Sequence, residues 1–233
     1  MKNVSTTILF GIGLILGLVA CQDRYIHTRT IYDSPMQFVR LEVDHTVGGD
    51  HSHPADITTA EMTAVLSGII INEPPRLMPS LPFFSKDEEP PRHPAFNATE
   101  IRFLAPLLAK GLGMAAPEEV VTFYLATRWT AIIRKVTSGG IFVDGDELHI
   151  VVSNYRSPTH YAPDPGTSET YDRLTPLRSI APQQTKLDFE PATAIAQPRK
   201  GFLSGLFQPD RQEIIVLFKK LRSGTADIDR ASH

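Results

Sequence analysis

Between Glu119 and Tyr155 the apolar residues recur with a period of two, and this stretch limits the fold more than any other part of the chain. "VVTFYLA" (residues 120–126), "WTAIIRKVT" (129–137) and "GGIFVDGDELHIVVSNY" (139–155) read as strands. The last contains a hairpin whose register can be argued. A type II′ turn with Gly145 first and Asp146 second pairs Asp144 with Glu147, Val143 with Leu148, Phe142 with His149 and Ile141 with Ile150. Val143, Leu148, Ile141 and Ile150 then share one apolar face. A turn centred on Asp144-Gly145 would set Val143 against Asp146 and mix charge with core, so the first register is preferred. Ser138-Gly139-Gly140 reads as a bulge or corner. Strands joined this closely form an antiparallel sheet.

The rest of the chain extends that sheet and covers it. Residues 25–32 and 37–44 read as strands joined by a turn at Asp33-Ser34-Pro35, and "QFVRLEVD" alternates Phe38, Arg40 and Glu42 against Val39, Leu41 and Val43. That alternation predicts a half-buried strand with one polar face. Thr58 with Glu61 makes a capping box, and Met62, Val65, Leu66, Ile69 and Ile70 form the apolar face of a helix ended by Asn72 and Pro74-Pro75. Asn97 with Glu100 opens a second helix, with a stripe of Ile101, Leu104, Ala105, Leu108 and Leu112 and a kink at Pro106. Seven of the 19 prolines fall between Pro74 and Pro94 and five between Pro158 and Pro182, which predicts two extended connectors. Residues 156–184 read as a loop, 185–189 as a short strand, 213–219 as a buried closing strand, and the tail from about residue 223 as polar. The expected fold is α+β: mainly an antiparallel sheet of about six strands, with two helices and long proline-rich connectors.

The N-terminus has a different composition. Lys2 precedes "ILFGIGLILGLVA", an uncharged run over residues 8–20, which suits the apolar region of a signal peptide and is short of the roughly 20 residues of a membrane span. The run closes on Cys21, the one cysteine of the chain. Leu18-Val19-Ala20-Cys21 resembles the lipobox of bacterial lipoproteins. That resemblance covers residues 2–21. It implies removal of residues 1–20, a diacylglycerol on the Cys21 sulfur with the new amine usually acylated as well, no cofactor beyond this covalent lipid, and a membrane anchor. Gln22, rather than Asp, follows the cysteine, which in the same class implies the outer membrane of a bacterial envelope, with residues 21–233 as one domain facing the periplasm. With Cys21 committed to lipid, the domain has no cysteine for a disulfide or a thiolate metal site.

Composition and motifs narrow the functional classes. The formal net charge is -3, the charges are intermixed, and nothing suggests nucleic acid as a partner. The strongest cluster of chemistry-bearing residues is the loop 44–56, where His45, Asp50, His51, His53 and Asp56 offer nitrogen and carboxylate ligands. Their spacing is irregular, so the loop also reads as a connector, with Asp56 or Thr58 capping the helix that follows. His149 faces Phe142 across the hairpin, near Asp144, Asp146 and Glu147. It reads as a ring stacked on the strand surface or as a general base. "GFLSG" at residues 201–205 is not a nucleophile elbow, and no phosphate-binding glycine motif is present. Phe202, Leu203, Leu206 and Phe207 form an apolar cluster flanked by Arg199, Lys200 and Arg211 that could contact a partner or a membrane. The expected function is a non-enzymatic binding or assembly module held at the membrane, with an envelope protein as the expected partner. The alternative is a metal-binding or hydrolytic lipoprotein using the loop 44–56.

Overall fold

A computed structural model describes residues 28–74, 90–130, 133–160, 173, 175–196 and 212–221. Cys21, the apolar cluster Phe202, Leu203, Leu206 and Phe207, and the tail from residue 223 lie outside the described residues. The strands are β1 (Arg29–Ser34), β2 (Gln37–Glu42), β3 (Ile69–Asn72), β4 (Arg92–Pro94), β5 (Val120–Arg128), β6 (Ile133–Asp144), β7 (Glu147–His160), β8 (Lys186–Phe189) and β9 (Gln212–Val216). The helices are α1 (Thr59–Gly68) and α2 (Ala98–Met114), with a 3-10 turn at Ala192–Ala194 and a helical turn at residues 218–221. Six strands form an antiparallel sheet in the order β1-β2-β5-β6-β7-β9, and three form a second sheet in the order β4-β3-β8. The fold is α+β and mostly antiparallel sheet.

The hairpin has the register its sequence requires. Asp144 pairs with Glu147, Val143 with Leu148, Phe142 with His149 and Ile141 with Ile150. Gly145 has φ +63° while Asp146 does not have positive φ, which is the II′ pattern. The register shifts between Val136 and Gly139, where a bulge was expected. At Gly139, beside this irregularity, the neighbouring strand leaves no room for a side chain: a Cβ there would lie 1.9 Å from the Val151 carbonyl oxygen.

Both helices start as their capping boxes dictate. Thr58 Oγ1 accepts from the Glu61 N–H at 3.2 Å while the Glu61 carboxylate accepts from the Thr58 N–H at 2.8 Å. Asn97 and Glu100 repeat the exchange. Each cap stabilises its helix by about 1 kcal/mol. The helices pack on one face of the large sheet. Met62, Val65 and Leu66 of α1 and Leu104, Ala105, Leu108 and Leu112 of α2 are buried with Val39, Leu41, Val121, Phe123, Ile141, Val143, Leu148 and Ile150 of the strands. Each large apolar side chain there contributes roughly 1.5–3 kcal/mol. Pro106 stands inside α2 on its exposed side, where the carbonyl it leaves unbonded can be hydrated.

Several expectations are corrected. The α1 stripe stops at Leu66: Ile69 and Ile70 belong to β3, the centre of the unforeseen second sheet. Ile69, Ile70 and Ile71 are all buried, so no alternation marks them as a strand, and a β-branched run favours one. The proline-rich stretch 74–94 contains β4, paired with β3 through Ile70–Pro94, Ile71–His93 and Asn72–Arg92. The 185–189 strand joins that sheet, not the large one. The first turn falls on Pro35-Met36, two residues late. Residues 133–144 are one strand, so Trp129 and Thr130 belong to the turn before it. β7 runs on to His160, past the expected loop start at Arg156. Pro158 is tolerated there because β9 pairs only with residues 148–152, leaving that part of β7 at an edge.

The largest correction concerns β2. Its outer face is not polar and wet: Phe38 is 0% exposed and Arg40 7%. Residues 175–183 lie across this second face as a strap. Ser138 Oγ donates to the Pro176 carbonyl, Ser153 Oγ to Leu177 O, and Asn154 Nδ2 to Arg178 O, while the Asn154 amide oxygen accepts from the Ile180 N–H, all at 2.8–2.9 Å. Gln183 bonds the Tyr155 N–H and the Ser157 hydroxyl. Small polar side chains on the strands thus supply hydrogen bonds to a part-buried, non-helical backbone.

Candidate functional site

The second face carries two groups of chemistry-bearing side chains, one at each end of the sheet. The histidine loop lies at the hairpin end. β5 pairs with β6 only as far as Val121–Ile141, so the β5-side edge of Phe142, Val143 and Asp144 is left to another segment. Residues 51–53 take that place. The Ser52 N–H donates to Val143 O at 2.7 Å, the Gly145 N–H donates to Ser52 Oγ at 2.8 Å, and the Val143 N–H donates to His53 Nε2 at 3.1 Å. An imidazole therefore stands where a strand carbonyl would. Because Nε2 accepts, the proton of the neutral ring sits on Nδ1, which donates to Ala116 O at 3.3 Å. Burial pushes the pKa of His53 down, against the opposing bond to Ala116. With both nitrogens committed, His53 has no lone pair left for a metal.

His51 packs on Phe142, ring centroids 4.3 Å apart, and Phe142 stacks on His149 at 4.6 Å and 12°. His51 is 6% exposed, and its Nε2 has no hydrogen-bond partner among the described residues. Burial, then the neighbouring His53 and His149, lower its pKa, so it packs as a neutral ring. His45 and Asp50 are exposed, and so is Asp56; Thr58, not Asp56, caps α1. Asp50 adopts φ +60° in the turn into the loop. Among the described residues no three His, Cys, Asp or Glu side chains are grouped to hold a metal ion. Of the expected ligands, His51 and His53 come together as tilted rings 5.5 Å apart, and His45 and Asp50 stay outside.

His149 stacks on Phe142 as the hairpin register implies. Its Nδ1 bonds Glu213 Oε1 at 2.8 Å, and its Nε2 lies 3.9 Å from Glu147. Glu213 is the partner that sequence reasoning missed. β9 lies beside β7 and pairs Ile215 with His149, which sets Glu213 two residues away on the same face.

At the other end, Phe38 and Tyr124 stack at 5.2 Å and 4° under three buried arginines. The Arg40 guanidinium lies 4.2 Å over Phe38, Arg173 lies 5.1 Å over Phe38 and 5.4 Å over Tyr124, and Arg134 lies 5.8 Å over Tyr124. Asp33 bonds Arg40 at 2.7 Å and Arg173 at 2.6 Å, and Arg173 also donates to the Ser34 and Pro35 carbonyls at 2.9 Å. Burial alone would raise the pKa of Asp33, but Arg40 and Arg173 outweigh it and hold it below the ordinary value. Arg173, from the expected loop, thus locks the β1–β2 turn. No sequence pattern marks it, because its partners are backbone carbonyls 138 and 139 residues away. A third ionic lock joins the start of β1 to the start of β5. Arg29 bonds both carboxylate oxygens of Glu119, which also accepts from the Ala116 N–H at 2.7 Å. Burial would raise the pKa of Glu119, and these bonds bring it below its ordinary value.

His93 completes the set of described buried histidines. Its Nε2 lies 2.9 Å from the Tyr155 hydroxyl and its Nδ1 2.7 Å from the Pro90 carbonyl, joining β4 to β7. No family model matches this chain, and no curated protein or solved structure matches it either.

Proposed function

We propose that this chain is a lipoprotein of the bacterial cell envelope whose domain acts as a non-enzymatic binding or assembly module. The observation that carries the proposal is the single cysteine, Cys21, closing the N-terminal apolar run in the order Leu18-Val19-Ala20-Cys21. In this reading residues 1–20 are removed, Cys21 carries the lipid and no further cofactor is used, and residues 21–233 form one domain facing the periplasm. Gln22 favours the outer membrane. The proline-rich stretches outside the strands serve as connectors, and Phe202, Leu203, Leu206 and Phe207 offer a contact to an envelope protein or the membrane. Two findings support a non-catalytic reading: His53 bonds backbone through both nitrogens, and His51 packs as a neutral ring against Phe142. Mass spectrometry of the membrane fraction tests the proposal: the mature N-terminus should be an acylated Cys21. Recovery of a soluble chain still carrying Lys2 would overturn it.

A further inference from the structure

We infer that the end of the six-stranded sheet bearing Trp129 is a docking surface for anionic phospholipid headgroups. Trp129 is 59% exposed, the most exposed of the large hydrophobic side chains among the described residues. The Lys135 ammonium lies 4.8 Å over its ring, and exposed Arg128 precedes it in the chain. The paired residues from Ala126–Val136 outward include exposed Arg128 and half-buried Lys135, with Arg134 buried behind them over Tyr124, and no Asp or Glu. The opposite end carries Asp144, Asp146 and Glu147 at the hairpin tip with Asp50 nearby, and there Lys219 bonds Asp146 while Arg29 bonds Glu119. The Trp129 end thus presents Arg128 and Lys135 with no carboxylate on the paired β5–β6 and β6–β7 residues beside them, which favours an anionic surface there. An indole with flanking long cationic side chains is the chemistry that settles at a bilayer interface, the ring at headgroup depth and the cations reaching phosphate.

The inference rests on the anchor at Cys21, and covalent lengths permit it. Arg29 pairs with Leu41, which pairs with Val121, and Arg128 lies seven residues further along β5 and two strands across, about 26 Å away at the rise and spacing of strands. The eight residues from Cys21 to Arg29 reach at most roughly 26–29 Å. The acyl chains and the Trp129 end can therefore meet the same membrane.

Trp129 is the only tryptophan in the chain, so its emission reports this surface alone. The full acylated protein is reconstituted into vesicles of zwitterionic lipid with or without an anionic phospholipid, and into the same vesicles with brominated acyl chains. Docking predicts a blue-shifted emission, quenched by the bromines, only with anionic lipid, and reversed by high salt. Arg128→Gln should lower the ratio of docked to undocked protein about fivefold, the effect of one interfacial cation. Emission that stays red and open to iodide in both vesicle types overturns the inference. So does protection from iodide that appears only with added anionic glycan, which would make the partner a polysaccharide. Mass spectrometry of the same sample reports Cys21 acylation independently, so a missing anchor and a missing docking surface are told apart.

Discussion

Replacing His53 by phenylalanine tests whether the histidine loop is part of the sheet. The phenyl ring is flat like the imidazole but one ring atom larger, and it removes both hydrogen bonds. The Val143 N–H, at a residue 1% exposed, then has no acceptor, which costs roughly 1–3 kcal/mol. The Ala116 carbonyl loses its donor but is only half-buried, so water can replace the imidazole at a cost of about 0.5–1 kcal/mol. The net loss at pH 7.5 should be about 1.5–4 kcal/mol, centred near 2–3. At a urea m-value of about 2 kcal/mol/M, the unfolding midpoint falls by about 1 M or slightly more. Urea titrations of a domain beginning at Gln22, followed by far-UV circular dichroism, measure it. The pH dependence is a second, independent readout. His53 is neutral in the fold and has a lowered pKa, so below about pH 6.5 the unfolded chain binds a proton that the folded chain refuses. The parent protein should lose stability as pH falls from 7.5 to 5 and the variant should lose less, so the gap between them narrows. His53→Gln, which restores an acceptor without a titrating ring, should recover part of the midpoint. Equal midpoints for parent and His53→Phe at both pH values would refute the reasoning.

Acid unfolding of the parent should begin in the same window, below about pH 6.5, from His51 and His53 together. A further loss should follow as Asp33 and Glu119, whose pKa values the fold depresses, take up protons below about pH 4; circular dichroism against pH resolves the two phases. Gly139→Ala should be among the most damaging single-methyl changes, about 3 kcal/mol or more, because its Cβ meets backbone. Gly49→Ala, with no atom within 4 Å of a built Cβ, should stay within about 0.5 kcal/mol, and thermal melts compare the two. Arg173→Ala should cost about 2–4 kcal/mol through the two part-buried carbonyls, the partly exposed Asp33 and the lost packing of its buried side chain over Phe38 and Tyr124. Limited proteolysis should then cut first near residues 173–185.

What could be read from the sequence was local. Gly145 fixed the hairpin register because a two-residue turn leaves few alternatives, and Thr58 and Asn97 marked the helix starts because caps act within one turn. The second sheet was hidden because Ile69, Ile70 and Ile71 are buried on both faces and extend a helical stripe without a break in pattern. The polar alternation of β2 misled for a related reason. Arg40 is polar and also buried, since Asp33 and the ring of Phe38 receive its guanidinium. The function of His53 depends on β5 ending short of the hairpin tip, a property of two strands compared, which no window along the chain contains. Glu213 became a partner of His149 only through the pairing of β7 with β9.

The strap across the second face reverses the usual distribution of mutational tolerance between loops and strands. Ser138, Ser153 and Asn154 grip the main chain of residues 176–180, not its side chains. Any residue able to follow that path presents the same carbonyls, so many substitutions there leave these bonds intact. Leu177, packed with Val120, Phe142 and Val151, is an exception. The strand positions have less latitude: Ser138 exchanged for valine keeps the β-propensity and removes the donor that the buried Pro176 carbonyl needs. Among homologous chains the drift should therefore concentrate in the connector, while three small polar residues inside the sheet hold still.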